Sequence, residues 1–171
     1  MKLSPLRLLL GLALVLGLGA CGDPDPAQAA DELAEMKSEV NAELRDMAAV
    51  LTGAGLAVER AQGRVESEGM STYRGQDYKA SAIVVGEGDE GDVVDRALTA
   101  LEDAGWTRKS VDLDASEPFA QLERDDFRAT VGWTKVGDRE LVLELDQKGS
   151  VEFPKDTSPV DRDNSEDIPL D

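Results

Sequence analysis

Tyr78-Lys79-Ala80-Ser81-Ala82-Ile83-Val84-Val85, followed by Gly86-Glu87-Gly88 and then by Val93, Val94, Ala97, Leu98, Leu101 and Ala104, decides how this chain folds. The first eight residues put Tyr78, Ala80, Ala82 and Val84 on one side of an extended backbone and Ile83 and Val85 on the other, the two-residue period of a strand. The glycines break that run. Asp89 or Asp92 offers a carboxylate to cap a helix start, and the apolar spacing changes to threes and fours until Gly105. Trp106 comes next and is expected to fold back on this second helix.

Upstream, Leu33, Met36, Val40, Leu44, Met47 and Leu51 repeat at the same helical spacing, which predicts a first amphipathic helix from Asp31 to Leu51. Asp31 and Glu32 suit its positive N-terminal end, and Gly53-Ala54-Gly55 supplies a stop. The stripe also fits a coiled-coil seam. It lasts only about three heptads, however, so packing on a sheet is the better reading. Leu56 to Val65 predicts another strand, joined to the first by Gly69 to Gln76. Tyr73 and Tyr78, with Arg74 between them, fit a strand edge or the mouth of a groove.

Downstream the pattern is a meander over Trp106–Asp112, Phe119–Glu123, Phe127–Lys135 and Glu140–Leu145, with hairpin turns at Asp125-Asp126 and Gly137-Asp138. Phe127, Ala129, Val131 and Trp133 alternate with polar residues, as do Leu141, Leu143 and Leu145, so each strand has an apolar and a wet face. The order of helix, strands, helix, strands predicts an α+β, two-layer domain: an antiparallel sheet with two helices packed on one face, over residues 31–154. Residues 21–30, with Asp23-Pro24-Asp25-Pro26, are expected to be a flexible tether. Residues 155–171, acidic and carrying Pro159 and Pro169, are expected to be a disordered tail.

The first 20 residues read differently. Cationic Lys2 and Arg7 precede an apolar run from Leu8 to Ala20, shorter than the roughly 20 residues that span a bilayer and rich in glycine. The only cysteine of the chain closes the run in Leu18-Gly19-Ala20-Cys21. This stretch resembles the signal peptide and lipobox of bacterial lipoproteins. The resemblance implies that Cys21 is alkylated by a diacylglyceryl group, that cleavage before it makes Cys21 the first mature residue, and that its amino group is often acylated. It further implies a chain held on the cell membrane by lipid and facing outward from the cytoplasm. Helix, glycine, tryptophan and hairpins in that order also resemble many small uncharacterised lipoproteins of high-G+C bacteria, a likeness that implies no activity.

Composition narrows the chemistry. The 171 residues hold 18 bases and 36 acids, and removing residues 1–20 with Lys2 and Arg7 moves the formal charge from −18 to −20. Such a surface repels nucleic acid and anionic headgroups, so the expected contacts are the membrane through the lipid on Cys21 and a protein or cell-wall partner. The chain has no histidine, and lipid on Cys21 leaves no thiol for a disulfide. No glycine-rich phosphate loop or cofactor motif appears, since Gly86-Glu87-Gly88 to Gly91 has the wrong spacing.

Two acidic clusters, Glu87, Asp89, Glu90, Asp92 and Asp161, Asp163, Glu166, Asp167, miss the glycine and glutamate positions of an EF-hand loop. They read as a helix start and a solvated tail, and no catalytic or metal residue is assigned. The function expected is a non-enzymatic binding or interaction module. The alternative is a cell-wall glycan hydrolase working through a carboxylate pair.

Overall fold

The fold is taken from a computed structural model, which describes residues 24–68, 73–112, 119–134, 140–154 and 164–170. It is the α+β, two-layer arrangement that the periodicities predict. Helix α1 (Pro26–Gly53) leads into strands β1 (Ala57–Glu68) and β2 (Tyr73–Val85). Helix α2 (Glu90–Asp103) follows, then β3 (Thr107–Asp112), β4 (Phe119–Arg124), β5 (Phe127–Trp133), β6 (Leu141–Gln147), β7 (Val151–Pro154) and β8 (Glu166–Asp167). One antiparallel sheet runs in the order β3-β4-β5-β6-β2-β1-β8. The 13-residue β2 takes β6 along its second half, Lys79–Val84, and β7 along its first, Tyr73–Gln76.

The helices cover one face of this sheet. Tyr78, Ala80, Ala82 and Val84 of β2, Leu141, Leu143 and Leu145 of β6, and Ala129 and Val131 of β5 are buried beneath them. From above come Val40, Leu44, Met47 and Leu51 of α1 and Val94, Ala97, Leu98 and Leu101 of α2. Small residues in the sheet let the helices approach closely, and the large apolar volume comes mostly from leucine. Asp89 caps α2 by accepting from the Asp92 N–H at 2.9 Å. Gly105 takes φ +96°, the left-handed conformation in which a helix commonly ends. Trp106 does fold back and is 3% exposed, with the Arg124 guanidinium 5.0 Å from its ring.

Three expectations need correction. The helix begins at Pro26, inside the stretch read as a tether. Proline is tolerated at a first helical position, where its missing N–H has no intrahelical partner, and Asp25 caps the turn by accepting from the Ala27 N–H at 2.9 Å. Ala29 then extends the apolar stripe and, with Leu33, buries against Val151 and Phe153 of β7 in a second, smaller core. Asp31 and Glu32 therefore lie beyond the first turn, which holds no acid. The β1–β2 connection is also shorter than expected, because β2 already starts at Tyr73.

The third correction concerns residues 155–171, read as a disordered tail. Residues 164–170 are a strap along the outer edge of β1. Gln62 and Gly63 pair with Asp167 and Glu166, the Ile168 N–H donates to the Ala61 carbonyl at 2.9 Å, and the Ile168 side chain is 5% exposed. The Asn164 amide imitates a strand: its Oδ1 accepts from the Val65 N–H at 3.3 Å and its Nδ2 donates to the Val65 carbonyl at 3.1 Å. A single isoleucine between Asp167 and Pro169 makes no helix or strand period, so composition hid this element. The Gly137-Asp138 turn lies outside the described residues, as do residues 155–163.

The strap closes over a close contact that glycine makes possible. A Cβ on Gly63 would lie 1.7 Å from the Tyr78 hydroxyl and 2.4 Å from its ring carbon Cζ. Gly63→Ala is expected to lower stability by about 1–3 kcal/mol or more, because neither the ring nor the paired backbone can retreat without unpacking. Ile168→Ala is expected to cost about 2–5 kcal/mol if the strap belongs to the core. Urea denaturation midpoints measure both, and a wild-type midpoint for Ile168→Ala would return residues 164–170 to the status of a tail.

Candidate functional site

The lipidation residue, Cys21, lies outside the described residues, as do Asp161 and Asp163. Of the two acidic clusters, the first is a helix start. Asp89 is spent on the cap, and the Glu87 carbonyl accepts from the Arg96 guanidinium. The second is divided by the strap: Glu166 and Asp167 form β8 rather than a solvated tail. Among the described residues, no group of three or more acids, cysteines or histidines is gathered as a metal would require. Nor is any helix there long and apolar enough to cross a membrane.

Tyr78 is neither at a strand edge nor at a groove mouth, because β2 is an interior strand. Its hydroxyl donates to Glu166 Oε1 at 2.7 Å and lies 3.0 Å from Asn41 Oδ1 of α1, while Lys37 Nζ stands 5.4 Å from its ring and 3.7 Å from Glu166 Oε1. Tyr73 and Arg74 pair with Pro154 and Phe153 of β7. Sequence alone offers no signal for the Tyr78 cluster, whose members sit at positions 37, 41, 78 and 166.

Two of the hollows among the described residues lie on opposite sides of the molecule. The uncovered sheet face is graded by rows. One row carries Lys79, Asp146, Arg128 and Glu123 side by side across β2, β6, β5 and β4. The next carries Ser81, Glu144, Thr130 and Gln121, and the third carries Ile83, Val142, Gly132 and Phe119. A polar cavity of about 400 Å³ opens over the first two rows.

The charges there are matched with one another. Arg128 holds both oxygens of Asp146, at 2.6 and 3.2 Å, Lys79 meets Glu66 at 2.6 Å, and Lys148 meets Glu123 at 3.0 Å. The Lys79 hydrogen bond holds the Glu66 carboxyl below its usual range, and Glu66 raises Lys79 in turn. The carboxyl that burial pushes upward is Glu43, on the opposite face, where it is paired with Arg124. A raised acid and a second carboxylate are therefore not brought together in this cavity.

The other surface is a groove of about 700 Å³ on the helix layer, where the last turn of α1 meets α2. Half-buried Val50, Ala54 and Ala100 form its floor. Exposed Glu87, Asp92, Asp95 and Asp103 form its rim. Arg96 is its cation, and that guanidinium is turned to the backbone carbonyls of Glu87 and Asp92. Neither helix has a basic residue in its last turn to complement the negative end of its dipole.

No protein-family model, no curated protein and no solved structure matches the chain.

Burial and the Glu166 carboxylate both raise the Tyr78 phenol above its ordinary value near 10, since ionisation would place a second anion against Glu166 in a dry site. The stabilisation this represents is complete below about pH 10 and is lost as pH rises through the folded value. Titration by tyrosinate absorbance is expected to show Tyr78 ionising late, or only on alkaline unfolding. Tyr78→Phe should remove that late component, and loss of a component near pH 10 instead would place the phenol in solvent.

Proposed function

We propose that this chain is an exported lipoprotein, anchored to the outward side of the cell membrane through lipid on Cys21, whose α+β domain is a non-enzymatic binding module. The observation that carries the reading is the sole cysteine closing Leu18-Gly19-Ala20-Cys21 behind a cationic start and a short apolar run. Two acyl chains, at about 0.8 kcal/mol per buried methylene, hold a protein on a bilayer with no help from the polypeptide. An acidic domain suits such an anchor because it adds no affinity of its own for anionic lipid.

The start of α1 supports the same reading. Pro26 stands five residues after Cys21, a span of roughly 17 Å when fully extended. On this reading the domain is carried close to the bilayer by the N-terminal end of α1. The C-terminal end of the 28-residue helix is about 40 Å farther along its axis. Recognition rather than turnover is favoured by the lack of histidine, by a thiol committed to lipid, and by carboxylates on the sheet face tied to neighbouring cations.

Cys21→Ala is expected to move the protein from the membrane pellet to the soluble fraction. Intact mass of the wild-type protein should show a chain beginning at Cys21 with a diacylglyceryl adduct. A Cys21→Ala protein that still sediments with membranes after a high-salt wash would overturn the anchor.

A further inference from the structure

We propose that the groove between the last turn of α1 and the outer face of α2 docks a basic amphipathic segment of a partner protein. This names the partner class of the binding module proposed above and rests on that reading. The groove combines two features, an apolar floor and a rim of acids that make no ion pair among the described residues. Val50 and Ala100 belong to the margin of the core yet remain half-exposed along it. Asp92, Asp95, Thr99 and Asp103 recur at three- and four-residue spacing, so they form one edge running the length of α2.

Charge selects the occupant. The C-terminal end of α1 opens into this groove with no basic residue in its last turn, and α2 ends on Asp103 beside Glu102, which is paired with Arg108, while Arg124 takes the Ala104 carbonyl just beyond. Across α1 and α2 together there are eleven acids against three bases. The ion-paired sheet face offers no comparable field. The rim carboxylates are strung along the helix rather than gathered about a point, which suits several separate ammonium or guanidinium groups better than one metal ion.

Size sets the form of the partner. The 14 residues of α2 span about 21 Å, the length of an equal number of residues in a docked helix. Apolar side chains at i and i+4 of such a segment would meet Val50 and Ala100 while its lysines faced the rim, the helix-in-groove mode of recognition. Contact on a groove this open is expected to be transient and quickly formed, with electrostatic attraction raising the on-rate. The groove also lies at the C-terminal end of α1, opposite Pro26.

The test uses the full lipidated chain in zwitterionic phosphatidylcholine nanodiscs, with empty discs as the blank. The probe is an amidated, fluorescein-labelled 15-residue helix of alanine and lysine with leucines at i and i+4, followed by anisotropy at physiological ionic strength. Asp95→Lys with Asp103→Lys is expected to raise Kd at least tenfold. Asp31→Lys with Glu35→Lys, the same charge change on exposed positions at the other end of α1, should leave it within about threefold.

Ala100→Gln, which changes no charge but crowds the floor, should weaken binding at least fivefold. Equal effects of the two charge-reversed pairs would reduce the attraction to the overall charge of the chain and overturn the site, as would an unchanged Kd for Ala100→Gln. Failure of the anchor reading is distinguishable, because it appears as membrane retention of Cys21→Ala and leaves peptide binding untouched.

Discussion

The structure turns on the missing side chain of Gly63. Because nothing projects from β1 at that position, the Tyr78 ring crosses over the strand and delivers its hydroxyl to Glu166 of the strap and Asn41 of α1. Three parts of the chain distant in sequence, the first helix, the central strand and the C-terminal strap, meet at one oxygen. The cost of burying that hydroxyl is offset by the hydrogen bond it donates to Glu166, a bond to a charged group being worth about 1.5–3 kcal/mol net. Lys37, over the ring and beside Glu166, brings a counter-charge to the same junction.

The two faces of the molecule handle their charge in opposite ways. On the sheet face, acids and bases alternate across neighbouring strands and neutralise one another. Exposed pairs of this kind contribute about 0–1 kcal/mol each, so their main effect is to fix register and remove net field. On the helix face Glu43 and Glu102 are paired with Arg124 and Arg108, whereas Asp92, Asp95 and Asp103 along the groove stand outside such pairs among the described residues, and the cations present are drawn into structural duty. Arg124 is held by Glu43 and the Ala104 carbonyl, and Arg96 by the turn before α2. Eleven acids against three bases give α1 and α2 together a net charge of −8, a little under half of the −18 of the whole chain.

Sheet edges are handled just as deliberately. β3 is exposed along its whole length and interrupted by a register shift between Arg108 and Ser110, with Lys109 at the irregularity, which discourages pairing with another chain. β1 also has a register shift, between Glu59 and Gln62, where Arg60 takes a φ of +50° and reaches Glu140. Beyond that shift its edge is taken by the strap, so neither outer strand presents a long flat ladder.

The sequence by itself determined the two helices, the hairpin meander and the buried face of β2, because those rest on periodicities of 3.6 and 2 that survive without any neighbour. It also determined the anchor expectation, which depends only on local order around Cys21. Tertiary structure alone decided the rest. Ala29 carries α1 back beyond its predicted start because β7 offers it Val151 and Phe153, and Ile168 converts an acidic stretch into a strand because the edge of β1 was vacant. Gly63 looks like a strand weakener until Tyr78 lies across it. The acid-rimmed groove joins residues from Val50 to Asp103, and no local pattern could announce it. Periodicity reports which face of an element is apolar; what that face, or the opposite one, lies beside is settled only when the elements pack.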